Sequence, residues 1–208
     1  DKKTIEKLVT LLALDIAQLA QWLAEGPVKY QNDILAFGEK WSADLLSAVL
    51  NEKICPSYSI DARDFLVVES CKTLSINYAL SAEKLQNKIV KQKLAVITGY
   101  ISKNGEGNTC TLGRNGSDYS ATIMAALVAA KNVTLWTDVD GIYSADPRVV
   151  PNARKLHRLP SGVARELGRL GNPVLHAKTL SPLNKFKLEV NEVLAQNHPA
   201  QHHVDKCH

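Results

Sequence analysis

The sequence predicts an α/β protein with a parallel sheet, and three observations carry that prediction. The run Leu94-Ala-Val-Ile-Thr-Gly99 is β-branched and apolar and ends at a glycine, as a buried strand before a tight turn does. Ser117 to Ala130 is alanine-rich and strongly helical. Val133-Thr-Leu-Trp136 is a further strand, and strand, helix and strand in this order make a βαβ crossover, hence parallel strands.

The remaining elements follow in chain order. Ile5, Leu8, Leu11, Leu12, Ile16 and Leu19 repeat at helical spacing, so a long amphipathic helix spans Thr4 to Glu25 and stops at Gly26-Pro27. Trp41, Leu45, Leu46 and Val49 share one face of a second helix over Ile34 to Leu50. Short strands are expected near 57–60 and 65–68, and a helix capped by Ser81 through about Lys91. The polar stretch Ser102–Asn108 is a hairpin turn returning through Thr109 to Leu112. Ser161–Leu170 is a short helix ended by Gly171, Val174–Leu180 a further element and Phe186–Val190 a strand. From Asn191 the pattern dissolves, so residues 1–190 are expected as one domain and 191–208 as a loose, histidine-rich tail.

Bulk properties narrow the function classes. With 208 residues and 45% hydrophobic content the chain can bury one substantial core. Its 25 cations and 21 anions are interspersed, and the formal charge of +4 suits a polyanionic nucleotide, with a nucleic-acid surface as the runner-up. The four cysteines form no C-x-x-C pair, so reduced thiols are expected rather than a disulfide framework or zinc knuckle. No uninterrupted apolar run of membrane-spanning length and no signal-like start is seen, and the expected location is the cytoplasm. His198, His202, His203, Cys207 and His208 are too irregularly spaced to be read as metal ligands.

Two motifs concentrate the chemistry. Leu112-Gly-Arg-Asn-Gly-Ser-Asp-Tyr-Ser120 sets glycines, a cation, a hydroxyl and a carboxylate at a helix entrance, where backbone N–H groups and the dipole attract anions. Trp136-Thr-Asp-Val-Asp-Gly-Ile-Tyr-Ser-Ala-Asp-Pro-Arg148 places acids and hydroxyls just past a strand, where ligands gather in open α/β sheets. Together they read as a phosphoryl-transfer site, which needs positioned anions and offset charge more than covalent chemistry. Asp140 and Asp146 are assigned to fixing the loop through side-chain to backbone bonds.

These two motifs resemble the aspartokinases of the amino acid kinase superfamily. Phe37-Gly-Glu-Lys-Trp-Ser42, Ile60-Asp-Ala-Arg63, Ile97-Thr-Gly-Tyr100 and Val174-Leu-His-Ala-Lys-Thr179 add to the likeness, which is similar in wording to the kinase half of bifunctional aspartokinase/homoserine dehydrogenases. The resemblance implies a three-layer α/β/α sandwich around a mainly parallel sheet. It implies transfer of the ATP γ-phosphoryl group to the β-carboxylate of L-aspartate, with Mg2+ held mainly by the nucleotide, in the biosynthesis of lysine, threonine and methionine. Carried over by position, Glu39 meets the substrate ammonium, Arg114 a substrate carboxylate, and Ser117 lies beside the reacting carboxylate. Asp118 and Lys178 are the catalytic residues; Thr137, Asp138, Tyr143, Arg148 and Lys178 hold the nucleotide. The family's opening strand, Lys-Phe-Gly-Gly-Ser, is not among these residues, nor is a regulatory domain. The expectation is therefore an incomplete catalytic domain, with a homo-oligomer as its assembly. The alternatives are a non-catalytic remnant that binds nucleotide or pairs with another subunit, and a different small-acid or nucleotide kinase of the superfamily.

Overall fold

Two long helices, α1 (Lys2–Glu25) and α2 (Gln31–Lys53), lead the chain. The computed structural model describes residues 2–72, 74–91, 93–131, 133–137, 143–146, 148–156, 166, 169, 177–186 and 190–195. These form two compact units, one ending at Gly113 and one beginning at Arg114.

In the first unit α1 ends where Gly26 takes a positive φ of 122°, a conformation that glycine adopts without strain. The helix pair is tied by polar groups: the Asp15 carboxylate accepts from Lys40 Nζ at 2.7 Å and from Trp41 Nε1 at 2.9 Å. An aromatic ladder continues the contact, with Trp22 stacked on Tyr30, tilted against Phe37, and Phe37 stacked on Trp41. One apolar stripe of α1 is left in the open, Ile5 being 60% and Val9 59% exposed. Thr4–Glu25 is long and apolar enough to cross a membrane by length and composition alone. The sequence concealed this because Asp15 and Gln18 interrupt the apolar run.

The strands of this unit are β1 (Ser57–Ile60), β2 (Val67–Val68), β3 (Leu94–Ile97), β4 (Ile101–Asn104) and β5 (Thr109–Thr111). β1 pairs with β3 in parallel, β2 with β4 in parallel, and β4 with β5 in antiparallel register. Parallel neighbours need a long crossover, and α3 (Tyr78–Gln86) supplies it. That helix starts three residues before the expected Ser81 cap, because Asn77 takes the role and its side chain accepts the Leu80 N–H at 3.1 Å. Ser81 is buried instead, and its hydroxyl accepts the Val67 N–H at 3.0 Å. Phe65, Leu66, Val68, Leu85, Ile101 and Leu112 form the buried centre.

The cysteine expectation is overturned within this unit. Cys71, just past β2, and Cys110, on β5, are joined by a disulfide across 39 residues, their Cα atoms 5.0 Å apart. Spacing along the chain carried no sign of it, since only the β2–β4–β5 sheet brings them side by side.

The second unit holds α4 (Gly116–Leu127), β6 (Val133–Thr137), α5 (Ala177–Phe186) and β7 (Val190–Ala195). β6 and β7 run parallel, and α4 packs on α5 around the buried Ile123 and Leu180. Trp136 on β6 is 66% exposed. Two expectations fail here. Phe186 closes a helix rather than opening a strand, and the strand runs on to Ala195, so the loose tail does not begin at 191. Pro182 inside α5 hid the helix, and the polar Asn191-Glu192 pair hid a strand whose stability comes from its partner β6. Within the expected helix 161–170 only Glu166 and Arg169 are described; both are helical and they pair at 2.9 Å.

Candidate active site

Backbone geometry sets up the substrate-side groups of the first unit. Glu39 projects from α2, and its carboxylate accepts the backbone N–H of Gly99, just past the end of β3. Burial pushes its pKa up, and the Gly99 N–H only partly offsets this. The turn beyond Gly99 is unusual: Tyr100 sits at φ 65°, a region that bulky residues rarely enter. That twist presents the Tyr100 carbonyl to the Leu112 N–H at 2.7 Å. Leu112 is fully buried, and Gly113 follows at φ 74°; space is open around its Cα, so the dihedral and not crowding calls for glycine.

In the second unit Arg114, Ser117 and Asp118 fall within one turn at the head of α4. Asn115 is the N-cap, at φ 56° in the left-handed region, and makes no side-chain cap bond. Asparagine tolerates this conformation better than most residues. Arg114 and Ser117 are exposed, whereas Asp118 is half-buried and burial pushes its pKa up. Asp118 therefore sits where the helix dipole attracts anions, in surroundings that resist its own charge.

Lys178, in the first turn of α5, brings a cation to the same helix: its Nζ lies 5.0 Å from the centre of the Tyr119 ring, the residue after Asp118. Burial pushes the Lys178 pKa down. Pro182, four residues on, has no N–H to give the Lys178 carbonyl, and the neighbouring Thr179 hydroxyl is buried without a partner among the described residues.

Of the second motif, Thr137 closes β6 and Tyr143 makes an antiparallel bridge with Lys155. Arg148 is exposed and forks onto Asp146, Nε at 3.1 Å and Nη2 at 2.8 Å. Asp146 also accepts the Arg148 backbone N–H at 2.9 Å, the loop-fixing role expected of it. Asp138 and Asp140 lie outside the described residues, as do the tail histidines. Among the described residues no three His, Cys, Asp or Glu side chains gather as a metal-ligand set.

The sequence assigned no part to the Gly99 N–H, the Tyr100 turn, the Tyr119 platform or the cluster in which Arg63 Nη2 lies 2.6 Å from Asp61 and Nη1 3.9 Å from Asp33. Ile97-Thr-Gly-Tyr100 and Ile60-Asp-Ala-Arg63 were the available signals, but their contacts are between segments far apart in sequence.

Comparison with known proteins gives the family of the chain. The model of the amino acid kinase family matches residues 3–190. Bifunctional aspartokinase/homoserine dehydrogenase 2 of Escherichia coli strain K12 is 43% identical over 189 residues, covering 89% of this chain and 23% of its own. The crystal structure of E. coli aspartokinase III in complex with aspartate and ADP superposes with a TM-score of 0.73 at 28% identity, over 95% of this chain and 47% of that one. UMP kinase from Ureaplasma parvum shares the fold, with a TM-score of 0.53 at 18% identity over 81% of this chain and 63% of its own. The chain spans about a quarter of the length of the first of these relatives.

Proposed function

Because the chain belongs to the amino acid kinase family, we propose that it carries an aspartate-phosphorylating site, which moves the γ-phosphoryl group of ATP onto the β-carboxylate of L-aspartate. The observation that carries this is the head of α4. An uncapped helix start, an exposed arginine, an exposed serine and a half-buried aspartate share one turn, with the Lys178 ammonium over the adjoining ring. The greater likeness to aspartokinases than to the nucleotide kinase that shares the fold supports aspartate as the acceptor.

In the proposed reaction a β-carboxylate oxygen attacks the γ-phosphorus while the bond to the β,γ-bridging oxygen breaks, giving 4-phospho-L-aspartate and ADP. The carboxylate is already ionised, so no base is needed, and rate comes from alignment and charge compensation. Arg114 offers a planar fork to a carboxylate of aspartate. Glu39 takes the ammonium, Ser117 lies beside the reacting carboxylate, and Asp118 orders the surrounding cations. Lys178 takes the phosphates, as an ammonium can. Thr137, Asp138, Tyr143 and Arg148 form the nucleotide side. The oxygen donor of Asp118 fits a hard cation, and magnesium arriving on the triphosphate would offset phosphate charge. We assign the reaction to the cytoplasm, to the synthesis of lysine, threonine and methionine, and to a homo-oligomer.

A hydroxamate assay with ATP, magnesium and aspartate tests the reading. Turnover is expected, and Asp118→Ala should lower it by about 10²–10³. ATP binding without turnover would point to a nucleotide-binding remnant, and equal use of glutamate or a nucleoside monophosphate would remove aspartate as the substrate. Recovery in the membrane fraction would count against a cytoplasmic site.

A further inference from the structure

We propose that Arg63 is a positioning residue for the amino-acid side of the site, acting through Asp33 on the helix that carries Glu39 and on the strand that leads to Leu112. This rests on the reading of Glu39 given above.

Two segments far apart in sequence meet at one guanidinium, and a third joins them through Asp33. Arg63 forks onto Asp61, with Nε at 3.0 and 3.1 Å from the two oxygens and Nη2 at 2.6 Å from Oδ2. Its Nη1 lies 3.9 Å from Asp33 Oδ1, in the first turn of α2. Asp33 also accepts from the Thr109 hydroxyl on β5, and Asn32 Nδ2 donates to the Thr109 carbonyl at 2.9 Å. Arg63 and Asp61 are largely buried and Asp33 about two-thirds so, where charge-assisted bonds are strong and an unpaired partner is costly.

These contacts close a ring of constraints around the substrate groups. From Asp33, α2 rises about 9 Å to Glu39. Glu39 accepts from Gly99, the next residue Tyr100 accepts from Leu112, and β5 runs back from Leu112 to Thr109, which returns to Asp33. A ring of this kind holds its members in one register only while each joint is closed. The joint at Asp33 is a carboxylate with an opposite charge beside it, and Arg63 supplies that charge. Hydrogen bonds to Asp61 outweigh burial in raising the Arg63 pKa, so that charge persists at every working pH.

The test compares Arg63→Met, Arg63→Lys and Arg63→Met/Asp33→Asn with the unaltered chain. Calorimetry measures affinity for L-aspartate and, separately, for ADP; hydrogen exchange is followed at the Gly99 and Leu112 amides, with the Leu94 amide as reference. Arg63→Met should weaken aspartate about tenfold and leave ADP within about twofold, since misplaced contacts cost binding only where they are made. Exchange at Gly99 and Leu112 should quicken while Leu94, which bonds to Pro56, holds. Arg63→Lys keeps charge without the fork and should recover part of the loss. The double variant should bind no worse than Arg63→Met, because both changes open the same joint. Unchanged exchange at Gly99 and Leu112 in both single variants overturns the proposal, as does an equal loss of ADP and aspartate. If the unaltered chain fails to bind aspartate, the reading of Glu39 falls, and the exchange result alone decides the role of Arg63. Should the methionine variant not fold, the lysine variant carries the same comparisons.

Discussion

The two units hold their functional groups by different means. Up to Gly113, polar side chains tie segments dozens of residues apart: Asp15 to Lys40 and Trp41, Arg63 to Asp33, Asn32 to Thr109, with the Cys71–Cys110 bond beside them. From Arg114 onward, Asp146 and Arg148 make a short-range tie, the Lys178 ammonium lies over the Tyr119 ring, and α4, α5, β6 and β7 are joined by packing and a parallel ladder. Polar ties fix direction and register, while packing fixes volume. The contrast matches the two proposed tasks: a small amino acid demands directional contacts, whereas phosphate oxygens demand cations near a helix start.

Reducing the Cys71–Cys110 bond should strike the first unit hardest. A loop of 39 residues closed by a disulfide is worth roughly 4 kcal/mol in the chain-entropy description. Denaturant melts with and without a reductant would read this, and equal midpoints would show that the polar ties suffice alone. Ile123→Ala should cost about 3 kcal/mol by leaving a cavity between α4 and α5, measured in the same way on the second unit.

Acid should separate the units further. Burial raises the Asp61 pKa, but bonds from Arg63, together with the charges of Arg63 and Lys103, bring it below the ordinary value. The unfolded chain then binds more protons, so the stability from Asp61 is complete above its unfolded pKa and is lost as pH falls through the folded one. Asp118 has the opposite sign: burial raises its pKa, the folded state holds the proton longer, and stability falls as pH rises through that interval. Melting midpoints between about pH 3 and 6 should rise with pH less steeply for Asp61→Asn than for the parent, and more steeply for Asp118→Asn. The smallest effect belongs to the turn before α4. Asn115→Ala should cost about 1 kcal/mol because it keeps a Cβ at positive φ, while Asn115→Gly should stay within about 0.5 kcal/mol.

What the sequence disclosed follows the range of the forces involved. α4, β3, the hairpin after Ile101 and the cluster of Arg114, Ser117 and Asp118 are set by neighbours in the chain, and all were legible. Ser81 was mistaken for a cap because Asn77, four residues earlier, has equal capping chemistry and sits at the actual start. β7 and the disulfide depend on β6 and on the β2–β4–β5 sheet, so no local pattern marks them. Glu39 was singled out by its motif, but its partner is a backbone N–H sixty residues away, and side-chain reading does not register backbone donors.

The aromatic ladder of α1 and α2 gives the molecule separate optical labels. Trp22 and Trp41 lie among rings in the first unit, and Trp136 stands largely in water on β6 in the second. Emission should therefore contain a blue component from the helix pair and a red one from the strand. An external quencher such as iodide should remove the red component first. Replacing Trp136 with Phe leaves a chain whose fluorescence follows only the unit that Arg63 holds together.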